Sequence, residues 1–92
     1  MTYFVGIDIA KYKHDCFVMD HNGEVIFNSF TFSNDKSGFN EFYSKIQKLD
    51  PSHEKRIGFE ATGHYGMNLK VFLEDNHLSY MEINPILIKE FS

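Results

Sequence analysis

Val5-Gly6-Ile7-Asp8-Ile9-Ala10-Lys11 is the stretch on which the fold turns. Its apolar, β-branched run reads as a buried strand, and a lone aspartate stands near the strand's C-terminal end. Burying a carboxylate without a partner costs several kcal/mol, so packing alone does not account for an acid there. Ile57-Gly58-Phe59-Glu60-Ala61-Thr62-Gly63 repeats the design. In both stretches a glycine precedes the acid by two residues, which places glycine and acid on one face of the strand. The expectation is that Asp8 and Glu60 meet on neighbouring strands and hold a divalent metal.

Outward from these stretches the chain divides cleanly. Residues 3–10 read as the first strand, and 14–20 as a second, with Cys16 and Val18 on one face and Phe17 and Met19 on the other. Asn22-Gly23 predicts a hairpin with a type I′ turn, in which both central residues take positive φ. Residues 25–32 follow as a third strand. The period then changes. Ser33-Asn34-Asp35 offers N-cap residues, and Phe39, Phe42, Tyr43, Ile46 and Leu49 lie along one helical face. Pro51 closes that helix. Residues 55–61 form a fourth strand, 66–76 a second helix and 78–83 a fifth strand. Asn84-Pro85 starts a third helix, with Asn as cap and Pro at the first helical position.

The order β-β-β-α-β-α-β-α predicts an α/β fold with a mixed five-stranded sheet and helices on its faces. The first and fourth strands can then lie parallel and adjacent. That brings Asp8 and Glu60 to the strand C-termini, where open α/β sheets place their sites.

Bulk properties narrow the function classes. A chain of 92 residues is one domain at most, and its ten phenylalanines supply much of the core. Nine basic residues against thirteen acidic ones give a formal charge of −4. Lys11, Lys13 and His14 form only a small basic group. This balance argues against a self-sufficient nucleic-acid enzyme, whose phosphate contacts need clustered Lys and Arg. The single cysteine, Cys16, excludes a disulfide framework and reads as a small buried hydrophobe. The N-terminal apolar run has no basic segment before it and carries Asp8 inside it, unlike a signal peptide. No run approaches the ~20 apolar residues that span a membrane. A cytoplasmic location is the expectation.

Gly6-Ile7-Asp8-Ile9-Ala10-Lys11, Phe59-Glu60-Ala61-Thr62-Gly63-His64-Tyr65 and Ile83-Asn84-Pro85 together resemble the N-terminal domain of the DEDD transposases of the insertion sequence 110 family. The resemblance runs along nearly the whole chain. It implies a ribonuclease H-like fold, specifically a RuvC-like catalytic domain, over residues 1–92. It also implies Mg²⁺ or Mn²⁺ as cofactor, and metal-assisted phosphodiester cleavage and strand transfer on DNA. Asp8 matches the first of the family's four acids and Glu60 the second. The final pair is an Asp-x-x-Asp after the helix that begins at Asn-Pro, and Glu74, Asp75, Glu82 and Glu90 form no such pair. The chain therefore reads as the N-terminal part of that domain, ending before the last two acids. A structured guide RNA and homo-oligomeric assembly of the full-length protein are further implications.

Other residues near the acids admit two readings. Gly6 and Gly58 either allow close helix packing or leave space for ions. Lys11, Thr62, Gly63 and Tyr65 are candidate nucleic-acid contacts, or an exposed lysine and a flexible turn. His64 reads as a loop histidine without a catalytic task. A sugar-kinase or actin-like ATPase half also opens with Gly-Ile-Asp, but needs a glycine-rich hairpin next, where this chain has Ala10-Lys11-Tyr12-Lys13-His14. Holliday-junction resolvases share the ribonuclease H-like fold. With two of four acids, the chain alone is expected to be inactive, and a non-catalytic folding or interaction fragment is the competing reading.

Overall fold

A computed structural model describes residues 2–49, 51–60 and 64–83, without the side chains of Phe27 and Asn28. The elements are β1 (Thr2–Asp8), β2 (Lys13–Met19), β3 (Val25–Ser33), α1 (Lys36–Gln47), β4 (Glu54–Glu60), α2 (Met67–Asp75) and β5 (Tyr80–Ile83). The expected third helix from Asn84 lies outside the described residues.

The five strands form one sheet in the order β3-β2-β1-β4-β5. β1 pairs antiparallel with β2 and parallel with β4, and β4 pairs parallel with β5. Alternation decides the faces. Val5 and Ile7 on β1, Cys16 and Val18 on β2, and Ile57 and Phe59 on β4 are buried in one core. Phe39, Phe42 and Ile46 of α1 and Leu69 and Leu73 of α2 join that same core. The two helices touch through Phe39 and Phe72, whose ring centroids lie 5.4 Å apart.

Among the described residues, both helices therefore cover one face of the sheet. The reason is the direction of travel. The chain crosses from β3 over to β4, then from β4 to β5, moving the same way along the sheet each time. Right-handed crossovers in one direction put both helices on one side. Among the described residues no helix covers the opposite face, and Phe4 (41% exposed), Phe17 (44%) and Met81 (66%) stand on it.

Local chemistry explains the element ends. Asp35 caps α1: its Oδ1 accepts from Gly38 N at 2.8 Å and from Ser33 Oγ at 2.7 Å. α1 ends at Gln47, ahead of Pro51, as Leu49 turns into the core. α2 ends in a left-handed residue, His77 at φ 57°, with Leu78 N donating to Leu73 O at 2.8 Å and His77 N to Glu74 O at 3.1 Å. That is the Schellman arrangement, which satisfies carbonyls left open by the helix.

The β2–β3 turn departs from the expected type I′. Only Gly23 takes positive φ (81°), and Asn22 does not. Asp20 sets the loop instead, its Oδ1 accepting from Asn22 N and Glu24 N at 2.9 Å each. A side chain that satisfies two loop amides outweighs the local Asn-Gly preference.

Candidate metal site on the open sheet face

The parallel β1–β4 ladder sets the site. Its register places Gly6 opposite Gly58 and Ile7 opposite Phe59, so Asp8 and Glu60 occupy the next rung on adjacent strands. Both acids are exposed and alternate away from the buried Ile7 and Phe59, onto the open face. They stand at one end of a shallow trough of about 680 Å³, floored by Gly6 and Gly58 and flanked by Phe4, Phe17, Met81 and Ile83.

Gly6 is explained by a neighbour on this face and not by helix packing, whereas nothing close requires a glycine at position 58. Phe17 is the cross-strand partner of Gly6. Its ring lies across the glycine, so that a Cβ at position 6 would stand 2.6 Å from Phe17 Cε2. Gly58 faces open trough, where a Cβ would meet nothing closer than Met81 O at 3.8 Å.

Asp15 is an acid on this face that the sequence reading left out. It is the cross-strand partner of Asp8, and its Oδ1 accepts the Thr31 hydroxyl at 2.6 Å. The signal was the inward alternation of His14, Cys16 and Val18, which turns Asp15 outward beside Asp8. Even so, no three His, Cys, Asp or Glu side chains come close enough to share an ion among the described residues.

The donor chemistry fits a hard cation. Two carboxylates on adjacent strands offer oxygen only, and Mg²⁺ characteristically binds through one or two carboxylates, keeps several waters and takes substrate phosphates as further ligands. Hard oxygen donors disfavour zinc, which prefers nitrogen and sulfur.

Of the remaining predicted contacts, Lys11 and Tyr65 come together through their backbones, since Asn34 Nδ2 donates to both carbonyls. Lys11 is exposed with its Nζ 5.2 Å from the Tyr12 ring centroid. Tyr65 is exposed, and its carbonyl accepts from Asn34 Nδ2 at 3.2 Å. His64 is exposed, edge-on to Tyr65. Thr62 and Gly63 lie outside the described residues.

His14 corrects the reading of a basic surface group, because it is fully buried. Its ring packs against Phe32 and Phe39, and Nδ1 accepts the Ala10 amide at 3.1 Å. Burial pushes its pKa below 6.5, outweighing Asn34, Asp15 and Asp8, which act to raise it. The folded state thus holds His14 neutral, while the unfolded chain takes up a proton as pH falls through 6.5. Stability contributed by the neutral ring is full above that value and is lost towards acid. The urea midpoint is expected to fall between about pH 7 and about pH 5, with a flatter slope in His14→Gln. Burial likewise pushes the Cys16 thiol up to about 12, so it carries no thiolate chemistry.

Residues 5–92 match the family model DEDD_Tnp_IS110, described as a transposase. The chain belongs to this transposase family. No curated protein matches it. Among solved structures it is similar to the ethanolamine utilization protein EutJ from Carboxydothermus hydrogenoformans, with a TM-score of 0.52 at 15% identity over 89% of this chain and 36% of that one. It is also similar to the Aquifex aeolicus Ppx/GppA phosphatase, with a TM-score of 0.51 at 12% identity over 92% of this chain and 36% of that one. The chain spans about a third of the length of those structures, 36% in both. Their folds are of the actin-like class. The likeness is one of fold, a mixed sheet with helices. The transposase family chain also has no helix among its described residues that is long and apolar enough to cross a membrane.

Proposed function

We propose that this transposase-family chain is the N-terminal part of a ribonuclease H-like, RuvC-like catalytic domain that acts on DNA by metal-assisted phosphodiester cleavage and strand transfer. The observation that carries the proposal is the β1–β4 register, in which the rung after Ile7 and Phe59 carries Asp8 and Glu60, both exposed, on adjacent strands. The family's DEDD pattern names two such acids in this order. Asp8 and Glu60 would hold Mg²⁺ or Mn²⁺ through carboxylate oxygens. Bound there, such an ion supplies stabilisation of the attacking and leaving oxygens of a phosphodiester.

The chain's own residues do three things. Asp8 and Glu60 orient ligand oxygens from rigid strand ends, which holds a site more closely than loops do. Among the described residues no helix covers their face, which leaves both carboxylates exposed to a polymer backbone such as DNA. The formal charge of −4 gives no electrostatic pull of its own towards phosphate, so attraction must come from the bound cation and from chain that carries the second acid pair. The proposal extends to a structured guide RNA and to homo-oligomeric assembly in the longer protein.

The actin-like likeness favours a second reading, a nucleotide-binding half. Against it stands the turn after β1, which is Ala10-Lys11-Tyr12 in place of a glycine-rich phosphate cradle. Asn34 Nδ2 takes up the Lys11 carbonyl there.

The test is cleavage of supercoiled plasmid. The 92-residue chain with Mn²⁺ is expected to leave the plasmid intact, whereas a longer family protein containing it nicks DNA and loses that activity in Asp8→Ala and in Glu60→Ala. Retained cleavage in both variants of the longer protein contradicts the assignment.

A further inference from the structure

We propose that Asn34 is a positioning residue that fastens together the two turns behind Asp8 and Glu60; the inference rests on reading those acids as ion ligands. Asn34 sits between β3 and α1, where a helix cap would be expected. The cap is Asp35, one residue later, whose carboxylate takes the Gly38 amide. The Asn34 side chain serves a different purpose. Its Nδ2 donates to Lys11 O at 3.0 Å and to Tyr65 O at 3.2 Å. Lys11 is three residues beyond Asp8, and Tyr65 is five beyond Glu60. One amide thus joins the backbone that follows each acid.

Three further contacts tighten the same junction. The Asn34 backbone N donates to Tyr12 O at 2.8 Å. His14 Nδ1 accepts from Ala10 N at 3.1 Å, holding the turn from its buried side. The Ile9 side chain reaches Gly66, where a Cβ would find its Cδ1 at 3.8 Å. With Nδ1 accepting, the neutral His14 ring carries its proton on Nε2. That Nε2 and Asn34 Oδ1 are the buried side-chain atoms without a hydrogen-bond partner among the described residues, one a donor and the other an acceptor. Their chemistry is complementary, and Asn34 acts on His14 in the direction that favours the proton.

The consequence is geometric. Two carboxylates bind one ion well only when their separation is held, and Asp8 and Glu60, as the last residues of β1 and β4, are held by the sheet on one side and by the backbone that follows on the other. Groups that orient first ligands typically change metal affinity by 10–100-fold when removed. Asn34 has the contacts to be such a group without touching the ion.

The experiment compares the wild-type chain with Asn34→Leu, which keeps the size and loses both donations, and Asn34→Gln, which keeps the amide. Amide hydrogen exchange reads the clasp without metal. In Asn34→Leu the amides of residues 10–12 and 65–67 are expected to gain exchange together, while those of α1 keep theirs. Mn²⁺ titration reads the consequence, with an expected loss of about 10–100-fold in affinity and partial recovery in Asn34→Gln. Unchanged exchange in either segment overturns the proposal. Coupled loosening with unchanged Mn²⁺ affinity also overturns it, since Asn34 is then structural only. Absence of Mn²⁺ binding in the wild type sinks the reading of Asp8 and Glu60 instead, and the exchange result still decides whether the turns are coupled.

Discussion

Gly38→Ala is expected to destabilise the chain by about 3 kcal/mol, at the upper end of overpacking costs. Helix propensity alone gives the opposite sign, because alanine in a helix interior is favoured over glycine by about 1 kcal/mol. The neighbours of Gly38 reverse it. The residue lies in the first turn of α1, with its amide bound to Asp35 Oδ1. A Cβ there would run into the Ser33 carbonyl oxygen, and would stand 2.5 Å from Ser33 N. Both obstacles are backbone, so rotation of a side chain gives no relief. Relief requires β3 and α1 to separate at the junction that also carries Asn34. Chemical denaturation of the two proteins measures the effect. A variant as stable as the wild type would show that the β3–α1 junction is looser than described.

The second large effect concerns the acids. Mn²⁺ at ten times its Kd is expected to stabilise the wild-type chain by about 1.4 kcal/mol, a rise of roughly 6–11 °C in Tm for a domain of this size. Asp8→Asn removes that gain. In metal-free buffer the same variant is expected to be slightly more stable than the wild type, by about 0.2–1 kcal/mol. The reason is that Asp8 faces Asp15 directly across β1 and β2, and like charges directly opposite on a sheet repel. Thermal melts with and without Mn²⁺ check both halves. A variant that loses stability without metal and responds to Mn²⁺ as the wild type does would assign Asp8 a structural role.

Most of the element pattern was legible because the hydrophobic period switches between two and three to four residues at each boundary. The meander and the parallel first and fourth strands followed from it, since a meander and two crossovers leave few arrangements; the place of β5 at the sheet edge came from the structure. The faces were harder to read. The expectation of helices on the sheet's faces did not say which helix lies where; α1 and α2 share one core, and the direction of the crossovers accounts for that. Gly6 was read as room for a helix or an ion, yet its neighbour is the Phe17 ring. That contact depends on antiparallel register, which no local pattern encodes. His14 carried a readable signal, its place in the inward alternation with Cys16 and Val18, but its charge type suggested the surface. At Asn22-Gly23 a strong local rule yielded to one side chain, Asp20, acting within its own loop. The pairing of Asp8 with Glu60 was argued from two separate strands, so its geometry became visible only with the parallel β1–β4 register.

The central claim is that these two carboxylates act as one site, and residue-resolved Mn²⁺ titration by NMR tests it most directly. Substoichiometric Mn²⁺ is expected to broaden the Asp8 and Glu60 resonances together, with one half-saturation point, ahead of the acids at Glu41, Glu74 and Asp75. Glu60→Gln then weakens the broadening at Asp8 as well. If Asp8 and Glu60 respond at different concentrations, or Asp8 responds unchanged in Glu60→Gln, the two acids bind independently and the account of a shared ion is wrong.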